Sequence, residues 1–594
     1  MDDFSAESIS PEASTRVVLH QKGRIPTVFS NATTDQAHAE EQELTSGTWL
    51  PRLKQIAFLS LVFASAIQGE SYGSPPRLSV NPIDIFSAFN LQPLPDNAGT
   101  PLTSGVDALQ VGNRAAALSL SGASATAAWQ NAQNLLNERA TRAARLPAGK
   151  TVVFGGATAS LLNKAIAGSG VVRIQVISEM LLIGQPIEIQ RSSVTLDLGP
   201  ARLAADDLQP YMIRIENATN VIVNGGDFVS GDSAILVSAS TGVDISHVRI
   251  GNLTGAGIVV TGSTRVTVAE NQIADLQLAG IIIHRGTAQS IVENNQIIGG
   301  TGYSNMAAGI VITDREVDLT SNPRAIFGPD GYWVISQPMM LRLNPPHDNL
   351  IAWNSVSGGL ASGLYSDGGI RTVIFANVLE GNSKEGLCLD NGSTANVVVS
   401  NVIHDNGERW GDPDTVLALD SILAGGRLPD GTAAEKVPGI SLDNALYNTV
   451  VSNDLAHNFG GGVKMVRTAY FNAVGMNTLL DNNDGASSTF HFFGIELGAA
   501  SGSSPELDFT PSRGNIVFSN VIRGSHYSGI FFDQGSDTNN VLNNVVLDAI
   551  SWALESVEQM MNTSVNNFTN LPSRNIGSGL EAALVTSGQA VNDQ

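Results

Sequence analysis

The sequence predicts an all-β solenoid, a parallel β-helix, and three observations predict it. Asparagine recurs at Asn271, Asn295, Asn354, Asn377, Asn401, Asn453, Asn477, Asn520 and Asn544, with uninterrupted spacings of 24, 23, 24, 24 and 24 residues. A period in this range marks repeats that bury a core only by stacking. Between the asparagines a glycine followed by an aliphatic recurs at Gly257, Gly280, Gly309, Gly363, Gly386, Gly439, Gly462, Gly494 and Gly529. The residues after each glycine alternate, as in Gly386-Leu-Cys-Leu-Asp390, the pattern of a short strand with one face inward. Segments such as Asn396-Val-Val-Val-Ser-Asn401 read as a second strand per coil, and the asparagine is expected to take the bend. Coils this short leave no room for the helical segment of a leucine-rich repeat, so a parallel β-helix remains.

The elements follow in order. Residues 1–54 are polar and irregular and read as a leader. Residues 55–67 carry an uncharged apolar run from Ile56 to Ile67 behind Arg52 and Lys54. That run falls short of the ~20 residues needed to span a bilayer, so no integral membrane span is expected. It fits a secretory h-region, with Ala64-Ser65-Ala66 as its cleavage site and a leader beginning near Leu50. The expected location is therefore secreted, periplasmic or at the cell surface. Residues 68–115, rich in Pro, Ser and Gly, read as linker. In the region 116–150, Ala125 to Arg145 has helical composition and Leu146-Pro-Ala-Gly-Lys150 stops it; this N-terminal helix is expected to cap the open end of the solenoid, whose edge would otherwise be unpaired. Coils occupy 151–556, and 557–594 reads as a C-terminal cap and tail.

Composition limits the partners. The formal net charge of -23 and pI near 4.7 argue against attraction to nucleic acid or to an anionic membrane. Aromatics are scarce, at 6%, and glycines number 60, as suits a narrow core of stacked small aliphatics. With Cys388 as the one cysteine, no intramolecular disulfide can staple the fold. The sequence carries no signature of oligomeric state.

Deviations from the repeat locate insertions. The distances from Gly309 to Asn354 (45), Asn401 to Gly439 (38) and Gly494 to Asn520 (26) exceed the regular 14 or 15 and 9. All three insertions flank the glycine strand, where loops on a rigid scaffold can wall a groove. The first two carry Trp333 and Trp410, candidates for stacking on sugar rings as well as for anchoring their own loops.

Counting outward positions from each glycine gives two rows on that face. The fourth-residue row reads His284, Thr313, Asp367, Asp390, Asp443, Val466; the second-residue row reads Ile282, Val311, Tyr365, Cys388, Ser441, Lys464, Glu496. Three aspartates thus fall on successive coils about 4.8 Å apart, with Lys464 one coil further on. Carboxylates so close persist together only if one keeps a proton, a cation binds or solvent screens them.

Two chemistries use such a cluster. In β-elimination, Asp367, Asp390 and Asp443 hold Ca²⁺ through hard oxygen ligands and Lys464 acts as base on an acidic sugar. In glycoside hydrolysis, Asp390 and Asp443 serve as acid and as base or nucleophile. His284, Tyr365 and Glu496 are candidate substrate-binding residues in either case, and Arg315, His347 and Arg409 stand in reserve on the loops. Each aspartate also sits where a strand must turn, so a purely structural row is the competing reading. Cys388, with no histidine beside it in these rows, reads as a space-filler.

With its Gly-aliphatic strands, its asparagine ladder and a leading helix followed by Leu-Pro-Ala-Gly, the chain resembles, over roughly 125–570, the right-handed parallel β-helix proteins of the pectate lyase-like superfamily. The resemblance implies a right-handed coil and action on polysaccharide, but the superfamily spans lyases, hydrolases, epimerases and tailspikes. The paired-aspartate and Gly-His-Gly signatures of its polygalacturonases are missing. Pro346-His347-Asp348 shares only part of the Asp-Pro-His-Asp motif of alginate epimerases, with Pro345 in place of the leading Asp. The acidic cluster with Lys464 is similar in residue types to the calcium site and lysine base of some β-helix lyases. The expected function is an exported polysaccharide-cleaving enzyme, a lyase on an acidic polysaccharide first, a glycoside hydrolase second, with a non-catalytic polysaccharide-binding or adhesin-type β-helix as the alternative.

Overall fold

A computed structural model describes residues 105–143, 149–177, 180–205, 209–299, 307–315, 344–359, 361–407, 438–482, 493–498, 512–524, 526–533 and 536–557, and parts of 562–573. The leader 1–54, the segment 55–67, Trp333, Trp410 and Arg409 lie outside the described residues.

The strands pair in parallel, each with the matching strand one repeat on. The glycine strands form a thirteen-stranded sheet running from Ile187–Ile189 to Trp552–Ser556. The strands before and after each ladder asparagine form two further faces. Long strands at Val194–Ala205 and Val221–Ser230 join these into one 27-stranded sheet. Strands continue to Phe568–Thr569, beyond the expected end at 556.

Register follows the glycine count. Leu364 pairs with Leu387, Leu387 with Ile440, Ile440 with Val463 and Val463 with Ile495, and all five side chains are buried. The core is this stack of aliphatics, one or two per strand per coil. The ladder glycines are required by closeness rather than by backbone angle: a Cβ on Gly494 would lie 2.5 Å from the carbonyl oxygen of Gly529, and one on Gly363 2.7 Å from that of Gly386.

The asparagine ladder is buried and continuous. Asn377 donates to Asn401 Oδ1 from its side chain at 3.0 Å and its backbone at 2.9 Å, and Asn401 donates to Asn453 Oδ1 at 2.9 Å. The bend, however, belongs to the residue before the asparagine. Ala376, Ser400, Ser452 and Met476 adopt φ of 51°, 55°, 55° and 55°. The left-handed conformation costs these residues roughly 1–2 kcal/mol each, which the amide bonds that follow offset. Two further ladders run beside the first. One links Asn396, Asn448, Asn472, Asn515, Asn539 and Asn562. The other links Asn382, Asn406, Asn458 and Asn482 and ends on His526.

Two helices are present among the described residues, α1 (Gly105–Ala143) and α2 (Ala159–Ala167). The helix expected from composition is α1, which begins at Gly105 inside the stretch read as linker. It covers the strands that precede the ladder asparagines. Trp129 meets Phe375 edge to face at 5.4 Å, Asn131 Nδ2 donates to Asp348 Oδ1 at 3.0 Å, and Arg139 pairs with the buried Glu293. The first strands are covered by α2, which buries Ala159, Leu162 and Ile166 and is capped by the Thr158 hydroxyl, acceptor of the Leu161 N–H at 3.3 Å.

Candidate functional site

The outward rows of the glycine face come together as counted. His284 pairs with Thr313, Thr313 with Asp367, Asp367 with Asp390, and Asp443 with Val466. In the adjacent row Tyr365 pairs with Cys388, Cys388 with Ser441, Ser441 with Lys464 and Lys464 with Glu496.

The three aspartates differ in surroundings. Asp367 is 0% exposed and its Oδ2 accepts from Thr313 Oγ1 at 3.2 Å and from Arg315 Nε at 2.5 Å. Asp443 forms an ion pair with Arg467 at 3.2 Å, its side chain 15% exposed. Between them Asp390, also partly exposed, accepts from Tyr365 Oη at 2.8 Å and from the Asn391 backbone N–H at 2.6 Å.

The middle carboxyl is the one driven toward its protonated form. Burial raises the pKa of Asp390 well above the ordinary value, and the charges of Asp443 and Asp367 push the same way; Arg467 and the Tyr365 hydrogen bond oppose them and lose. Burial, reinforced by Asp390 and Asp367, raises the Tyr365 phenol too, so it remains a neutral donor.

His284 is buried with both ring nitrogens engaged. Nδ1 faces Thr261 Oγ1 at 2.9 Å and Nε2 faces the Arg315 carbonyl at 2.8 Å. Burial lowers its pKa against the pull of that carbonyl, so the ring is neutral and donates to the carbonyl from Nε2. It holds the backbone of Arg315 while the guanidinium reaches Asp367. Tyr365, 2% exposed, likewise holds Asp390. Lys464 and Glu496 lie in the outward row, the latter 4% exposed.

The donor set does not fit a calcium ion. Asp367 and Asp443 each already face a guanidinium, which takes up the carboxylate oxygens that a hard dication would need. Among the described residues no group of three or more His, Cys, Asp or Glu side chains is placed to hold a metal.

A family model described as "right handed beta helix region" matches residues 205–334. With the parallel register along the whole coil, that fixes the architecture. The chain is a right-handed parallel β-helix. No curated protein matches it. Solved structures similar to this β-helix include an alginate lyase from Paenibacillus, with 12% identity over 72% of this chain and 97% of that one and a TM-score of 0.29. The A-module of the Azotobacter vinelandii mannuronan C-5 epimerase AlgE6 is 12% identical over 73% of this chain and 93% of its own, with a TM-score of 0.31. The surface adhesin PfbA of Streptococcus pneumoniae is 12% identical over 67% and 86%, with a TM-score of 0.34. No helix among the described residues is long and apolar enough to cross a membrane.

The β-helix also brings in residues that the repeat pattern passes over. Arg467 and Thr313 complete the charge and hydrogen-bond pairing of the aspartates; Arg467 directly follows Val466 in the counted row, so one more position would have found it. His347 and Asp348 lie at a corner of the coil instead. There Asp348 accepts from Arg371 Nε and Nη2, each at 2.7 Å, and anchors α1 through Asn131. Burial would raise the Asp348 pKa, but Arg371 and His347 hold it well below the usual carboxylate range.

Proposed function

We propose that the protein is an exported polysaccharide-cleaving enzyme that works on the glycine face and cuts glycosidic bonds by acid catalysis from Asp390, with Asp443 as the second carboxylate. One observation carries the reading: a carboxyl biased toward its proton, fixed by Tyr365, stands beside a guanidinium-paired carboxylate on the next coil. A carboxyl group biased toward its proton next to a second carboxyl group is what glycoside cleavage requires. Asp390 would give its proton to the leaving oxygen while Asp443 attacks the sugar carbon or activates water. Neighbouring coils lie about 4.8 Å apart, which favours the shorter carboxylate separation, that of retention. Asp367, with no exposed surface, sets charge behind the pair.

Calcium-assisted elimination by Lys464 is less well supported, because two of the three aspartates already face a guanidinium. Incubation with a polysaccharide panel, following reducing ends and the ultraviolet absorbance of an unsaturated uronide, tests the reading. We expect new reducing ends without that absorbance, no effect of chelator, and a rate loss of about 10² to 10⁴ in Asp390→Asn. Unsaturated product lost on chelation would restore the lyase, and binding without cleavage would leave an adhesin-type β-helix.

A further inference from the structure

Beside the acid row stand three polar side chains of which two, Ser441 and Glu496, are buried and the third, Lys464, is half-buried. Ser441, Lys464 and Glu496 occupy successive register-paired positions on the glycine face. Ser441 is 6% exposed and Glu496 4%. Among the described residues none of the three has a hydrogen-bond or ion-pair partner, although Asp367, Asp390 and Asp443 in the next row all do. A largely buried polar group left without a protein partner usually awaits a ligand or water.

We infer that Ser441, Lys464 and Glu496 form a subsite that binds the vicinal hydroxyls of an uncharged sugar unit next to the point of cleavage. This rests on the reading of Asp390 and Asp443 as the cleaving pair, since Ser441 lies on the strand of Asp443 and the other two lead away from it along the axis. The chemistry selects the ligand. Lys464 offers only donors and Glu496, ionised, only acceptors. A hydroxyl satisfies both, donating to Glu496 and accepting from Lys464, whereas a sugar carboxylate would confront Glu496 and a sugar ammonium would confront Lys464. The opposite charges cancel, so the subsite has no net charge to reward an ionic substituent. A chain laid along the axis would advance about one coil, ~4.8 Å, between neighbouring contacts.

Calorimetric titration of the full chain carrying Asp390→Asn, with neutral tetrasaccharides (gluco-, manno- and fructo-) and oligouronates of equal length as probes, tests this. We expect a neutral probe to bind, and Glu496→Gln and Lys464→Ala each to weaken it by about 10- to 100-fold, the loss of one hydrogen bond to a charged group. Unaltered melting curves would confirm that both variants fold. The subsite is refuted if no neutral probe binds, if neither variant weakens binding, or if only oligouronates bind and Lys464→Ala alone matters. The two proposals fail separately. Binding that both variants weaken, with no cleavage of any glycan by the unaltered chain, would keep the subsite and remove the enzyme. Cleavage of a neutral glycan whose binding neither variant alters would do the reverse.

Discussion

Tyr365 Oη donates to Asp390 Oδ2 at 2.8 Å across neighbouring coils, and this hydrogen bond works against the other forces on the carboxyl. Burial and two neighbouring carboxylates favour the acid; the phenol favours the anion. The proton affinity of Asp390 is therefore set by opposition, and Tyr365 is the side chain that can be changed with least loss of shape.

Tyr365→Phe removes a donor to the ionised form, so the Asp390 pKa rises further. If Asp390 is the general acid, the alkaline limb of the pH–rate profile moves to higher pH. An unmoved limb would mean that another group supplies the proton.

The ladder makes a thermodynamic prediction. Asn401→Leu leaves the Asn377 amide and backbone N–H without their acceptor and takes from Asn453 Oδ1 one of its two donors, the backbone N–H of residue 401 being the other. A loss of about 1 to 3 kcal/mol is expected, measured by denaturant unfolding. An unchanged midpoint would place those amides in contact with water.

Much of this was legible before any coordinates, because stacking forces identical positions to recur. The glycine count assigned Asp367, Asp390, Lys464 and Glu496 to rows that the pairing reproduces. What the period could not reveal are interactions that depend on reach. Arg315 and Arg467 turn sideways onto Asp367 and Asp443 from outside the counted positions, and charge pairing of that kind has no repeat to follow. His284 and Tyr365 fall in outward rows and are buried all the same, so an outward direction on a strand did not guarantee exposure. The ladder through Asn382, Asn406, Asn458 and Asn482 has the same period as the main one but no constant neighbour, and passed unnoticed for that reason.

Gly494→Ala tests the closeness of the coils. The added methyl would meet the Gly529 carbonyl at 2.5 Å, a contact with backbone that cannot swing aside. Overpacking of this kind costs typically 1–3 kcal/mol, and thermal melting of the variant should show a lowered midpoint. A midpoint equal to that of the unaltered chain would mean that the coils separate locally at little cost.

The last prediction concerns His526, on which the third ladder ends. Its Nε2 accepts the Asn482 backbone N–H at 3.2 Å and lies 3.4 Å from Asn482 Nδ2, an arrangement available only to the neutral ring. Burial lowers its pKa from 6.5 to about 4, against the opposing charge of Asp481. The unfolded chain therefore takes up the proton first as pH falls, so the folded state has its full advantage above the unfolded value and loses it as pH drops through the folded one. The slope is about 1.4 kcal/mol per pH unit within that window. Unfolding near pH 7 and again near pH 5 should differ by about 2 kcal/mol through this residue alone. In His526→Asn the ladder ends on a non-titrating acceptor, and that share of the pH dependence should vanish. If the variant keeps the same pH slope, the ring is already protonated in the fold or exchanges with water, and the ladder does not end on it.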